Sequence, residues 1–104
     1  MTLGEIRTLL VSADPDIKHY FSVSDAPAYT YWEESERLPV MGDDEHLEQA
    51  WRFYVHHYSK APYSPVADNI FAVLDADPRT AVRLTVDRDQ DSGYTHYIFE
   101  CEGY

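Results

Sequence analysis

Residues 51–58, Trp-Arg-Phe-Tyr-Val-His-His-Tyr, constrain this chain more than any other stretch. Trp51, Phe53, Val55 and His57 alternate with Arg52, Tyr54, His56 and Tyr58, and a period of two marks a β-strand with one buried face. Any fold that accepts this strand must supply a layer to cover the Trp51–Phe53–Val55 side. The same geometry decides the chemistry of the histidine pair. Neighbouring residues on a strand point to opposite faces, so His56 and His57 cannot both reach one metal ion unless the strand is bulged. A strand-borne ligand pair needs positions i and i+2, and on the His57 side Val55 occupies that place. The pair therefore reads as part of the strand, with histidine at the strand's fringe.

The remaining segments supply the covering layer. Thr2 and Glu5 form the pattern of a capping box, and Leu3, Ile6, Leu9 and Leu10 make one apolar stripe, which predicts a helix over 2–12 ended by Pro15. Residues 17–23 read as a short strand or irregular segment, and 28–36 as a strand rich in aromatic and β-favouring side chains. Residues 37–46, with Pro39, Gly42 and two aspartates, read as a long loop. Ser64 stands at an N-cap position and Pro65 at the first helical position of a second helix, with Val66, Ile70, Val73 and Leu74 as its stripe and Pro78 ending it. Val82, Leu84 and Val86 alternate in one strand, and Tyr97, Phe99 and Cys101 in another, across a Gln-Asp-Ser-Gly turn that predicts a hairpin. The order is α-β-β-β-α-β-β. It predicts a single α+β domain over 1–104: a mostly antiparallel sheet of four to five strands with two helices packed on one face.

Candidate chemistry is sparse. His19, His46 and His96 are scattered, and only folding can gather them. Cys101 is the single cysteine, so no internal disulfide forms. The acidic runs lack the spacing of a calcium loop, no serine sits in a glycine-flanked elbow, and four glycines build no phosphate loop. The expectation is no catalytic residue, no cofactor and no metal, hence not an enzyme. Nineteen acidic against 8 basic residues give a net charge of −11, which disfavours direct nucleic-acid binding. No apolar run is long enough to span a membrane, and the first residues lack a signal-peptide pattern, so a cytoplasmic protein is the default expectation.

The order of Pro-Ala-Tyr-Thr-Tyr-Trp-Glu-Glu, the segment from Gly42 to Lys60, Tyr63–Ala76 and Gly93–Gly103 resembles a family of small tail-component proteins in prophages of Gram-positive bacteria. Residues 27–102 follow that order. The resemblance implies a tail-terminator or tail-completion protein, a ring at the head–tail junction of a long-tailed phage, located in the virion tail. Its implied partners are other tail or head–tail connector proteins and further copies of itself. The family carries no catalytic residues, and the doubled histidine and strong acidity are departures from its pattern. In such a ring, Glu33, Glu34, Asp43, Asp44 and Glu45 are the candidate interface or lumen residues, because a negative passage repels sliding DNA. The alternative is a small acidic inhibitor, an anti-restriction DNA mimic or an immunity protein, that binds a basic partner.

Overall fold

The structure is a computed structural model that describes residues 1–21, 24–40 and 48–104. Two helices, α1 (Leu3–Ala13) and α2 (Pro65–Ala76), accompany five strands: β1 (Lys18–His19), β2 (Ala28–Leu38), β3 (Ala50–Ser59), β4 (Thr80–Arg88) and β5 (Thr95–Gly103). The strands form one sheet in the order β1-β2-β3-β5-β4. Only the short β1–β2 pair is parallel; the others run antiparallel. The α+β class and the element order are those the sequence predicts.

Local chemistry explains the ends of these elements. At α1 the Thr2 hydroxyl accepts from the Glu5 amide, and the Glu5 carboxylate accepts from the Thr2 amide, so the capping box is complete. At α2 the Ser64 hydroxyl accepts from the Ala67 amide, and Pro65 opens the helix. The Thr80 hydroxyl donates to the Leu74 and Asp77 carbonyls, occupying acceptors that the end of α2 leaves open. Arg79 donates to Asp77 and to Glu5, tying the C-terminal end of α2 to the first turn of α1. In the hairpin between β4 and β5, Gly93 takes a φ of +78°, a conformation that glycine adopts without steric cost.

The core lies between the helices and one face of the sheet. Trp32, Phe53, Val55, Phe99 and Cys101 from the strands meet Ile6 and Leu10 from α1 and Ala67, Ile70 and Leu74 from α2. Trp32 sits directly across from Val55, and its ring meets that of Phe53 edge-on with centroids 6.4 Å apart. Cys101 is buried here as a small apolar group, its thiol near the Phe99 carbonyl, and burial pushes its pKa up. Among the described residues no helix is long and apolar enough to cross a membrane.

Three details differ from the sequence expectation. β2 extends to Leu38, because Arg37 and Leu38 pair with Trp51 and Ala50 after a bulge at Ser35. Two residues assigned to the loop are therefore strand. The buried stripe of α2 runs through Ala67, Ile70 and Leu74, leaving Val66 and Val73 only half-buried. The cap sets this phase, since Ser64 is bonded at once to Ala67 and to a side chain of β3 described below. Finally, the segment after α1 does pair with the sheet, but over two residues only.

Because Phe53 is fully buried and Tyr54 faces the other way, truncation separates the two faces. Phe53→Ala is expected to cost about 3–5 kcal/mol in urea unfolding, and Tyr54→Ala about 1 kcal/mol or less. Equal costs would show that the strand is set one residue out of register.

Candidate functional site

The two histidines of β3 do opposite things. His57 is 1% exposed and lies inside the helix-covered layer, which corrects its expected place at the fringe. Its Nδ1 is 2.7 Å from the Thr30 hydroxyl on β2, and its Nε2 is 2.7 Å from the Ser64 hydroxyl that caps α2. A neutral ring serves both hydroxyls at once, one nitrogen donating and the other accepting. It thus pins the first turn of α2 to two strands. Burial lowers the His57 pKa, against a smaller opposing effect of the Asp14 carboxylate. Both groups line a cleft of about 260 Å³, together with Asp16, Lys18 and Thr30.

His56 points to the face that, among the described residues, carries no helix. There the alternate side chains of β3 and β5 and of the first half of β2 build a layer of rings. Tyr29 stacks on Tyr58 at 4.8 Å, Tyr58 on His96 at 4.1 Å, and Tyr31 on His56 at 4.7 Å, with interplanar angles of 11°, 12° and 16°. Tyr94 closes the group edge-on against Tyr29 and Tyr58, and the Lys60 ammonium lies 4.9 Å from its ring centre. Stacked rings use their faces on one another. What a partner meets is ring edges, phenol hydroxyls and imidazole nitrogens.

At its centre His56 Nδ1 and His96 Nε2 lie 2.9 Å apart, and His56 Nε2 lies 3.3 Å from a Glu33 oxygen. In the neutral arrangement His56 donates to Glu33 and accepts from His96. Desolvation lowers both histidine pKa values; Glu33 opposes this at His56. At His96 the neighbouring His56 lowers it further and Asp87 opposes. Among the described residues, no three histidine, cysteine, aspartate or glutamate side chains converge on a metal position.

The acidic candidates are dispersed. Glu33 and Glu34 lie mid-strand in β2 rather than at its end, and they face opposite sides of the sheet. Glu33 belongs to the histidine chain. Glu34 accepts from His19 at 2.7 Å and from the Tyr20 hydroxyl. Partial burial raises its pKa, but these hydrogen bonds outweigh that and leave it below the ordinary carboxylate value. The two glutamates are therefore engaged inside the domain and do not form one common surface. Asp43, Asp44, Glu45 and His46 lie outside the described residues. The fold does gather one scattered histidine, His96, which the sequence could not place because β4 separates β3 from β5 along the chain. No protein-family model matches this chain, and no curated protein matches it significantly.

The three histidines share a sign. Each binds its proton less readily in the fold than at the ordinary value of 6.5. Their contribution to stability is therefore complete above that value and lost as pH falls below it. The melting temperature is expected to drop between about pH 7.5 and about pH 5.5. In His57→Gln the pH slope of unfolding free energy should flatten by up to about 1.4 kcal/mol per pH unit. An unchanged slope in that variant would show that His57 is not a source of the acid sensitivity.

Proposed function

We propose that this chain is a structural subunit of a long-tailed phage or prophage tail, acting as a ring-forming tail-terminator or tail-completion protein. The observation that carries the reading is the ring-lined sheet face. Tyrosine presents a large, rigid contact surface at small cost in conformational entropy, and aromatic residues are enriched where proteins dock. Six stacked or edge-on rings on a face that carries no helix among the described residues suit binding of a flat protein surface, such as a tail tube or a neighbouring subunit. The sequence resemblance supports the same reading, and the surplus of carboxylates suits a wall past which DNA slides.

A second reading, a small acidic inhibitor that binds a basic protein, is favoured by the carboxylates around the same face. Glu36 and Glu102 flank Arg52 there, and Glu100 stands exposed beside them.

The two readings part in particles from a phage lacking this gene. Under the tail reading, negative-stain microscopy should show unjoined heads or tails of irregular length. Complementation by an Ile98→Lys chain, altered mid-face, should fail even though that chain melts as the wild type does. Infectious particles with tails of uniform length from the deletion would end the tail reading. Recovery of a basic protein with the tagged chain would then support the inhibitor.

A further inference from the structure

β4 is an edge strand of unusual openness. It is nine residues long and pairs with β5 without a register shift; among the described residues no strand pairs with its outer side. Natural edges are usually blunted by brevity, proline, lysine or a bulge. The stretch Thr-Ala-Val-Arg-Leu-Thr-Val-Asp-Arg has none of these; the protective devices it does carry are the charges of Arg83, Asp87 and Arg88. On its helix side Leu84 and Val86 are 36% and 53% exposed.

The hydrogen bonds at its two ends show which backbone groups are free. Asp89 N–H donates to the Tyr94 carbonyl, and Tyr104 N–H donates to the Arg79 carbonyl. In an antiparallel ladder alternate residues bond to the same neighbour. Odd-numbered residues of β4 therefore bond to β5, and Val82, Leu84, Val86 and Arg88 turn their N–H and C=O groups outward.

We infer that this edge pairs with the same edge of a second copy of this chain, antiparallel, about a two-fold axis through Thr85. In that register Arg83 stands opposite Asp87 of the second copy, twice by symmetry. Thr85 meets Thr85, and Leu84 meets Val86. The outward-facing residues Leu84 and Val86, Val82 and Arg88 become the hydrogen-bonded pairs, giving about eight backbone bonds. Arg83–Asp87 and Thr85–Thr85 fall on the non-hydrogen-bonded pairs, where side chains approach most closely. Centring the axis on Leu84 instead sets Arg83 opposite Thr85 and Asp87 opposite Ala81, losing both ion pairs. Charge also favours this edge for self-contact. Arg83 and Arg88 outnumber Asp87 within β4, whereas the whole chain has 19 acidic and 8 basic residues. The result is an isologous dimer with a continuous ten-strand sheet, closed after two copies. It describes the free chain and does not rest on the tail reading.

Sedimentation and amide exchange test this over a concentration series up to about 1 mM. The wild type is expected to dimerise, with protection of the Leu84 and Val86 amides rising with concentration. Val86→Pro removes an outward N–H, a place where an edge strand tolerates proline, and should leave a monomer with an unchanged melting temperature. Arg83→Asp and Asp87→Arg should each raise the dimer dissociation constant at least about tenfold, and the double reversal should restore it. If the proline variant does not fold, the charge reversals decide. A wild-type monomer throughout, or a dimer indifferent to Val86→Pro and Arg83→Asp, would overturn the pairing. A larger ring indifferent to both variants would overturn it too, while leaving the tail reading in place.

Discussion

Two helices of 11 and 12 residues cover one side of a five-stranded sheet, and the distinctive features of this molecule follow from how the other side is handled. On the covered side the strands present Trp32, Phe53, Val55 and Phe99 to α1 and α2 in the usual manner of an α+β layer. On the bare side a polar surface would suffice for solubility. The chain instead places tyrosines and histidines there and stacks them on one another. The sheet thus carries its own aromatic cover, with a carboxylate, Glu33, inserted beside the rings.

His57 makes the covered side specific as well as apolar. A leucine there would bury more apolar surface and leave Thr30 and Ser64 with one partner fewer, at a cost of about 1–3 kcal/mol per unsatisfied group. With histidine, the start of α2 has one position on the sheet. That position in turn fixes which residues of α2 face inward. A polar ring in the core thus sets the phase of a helix.

Much of the architecture was legible because it is local. The capping box of Thr2 and Glu5, the Ser64–Pro65 helix start and the alternation of 51–58 each act within a few residues. The opposition of His56 and His57 followed from the pleat alone. What was not legible depends on pairing across distance. His96 reaches His56 only because β5 inserts between β3 and β4, two strands joined by α2 and running the same way. The Ser35 bulge was hidden because serine is ordinary in a strand and the offset shows only against Arg52 and Phe53. Two of the acidic candidates show another limit. Sequence counts charges, but Glu33 and Glu34 were already committed to partners on opposite faces.

The single thiol gives the domain a built-in reporter. Cys101 lies in β5 between β3 and β4, 1% exposed and held in its unreactive protonated form by burial. A disulfide reagent can modify it only when the core between the helices and the centre of the sheet opens. The rate of labelling under native conditions therefore measures how often the helix layer parts from the centre of the sheet, a motion that fraying of β1 does not register.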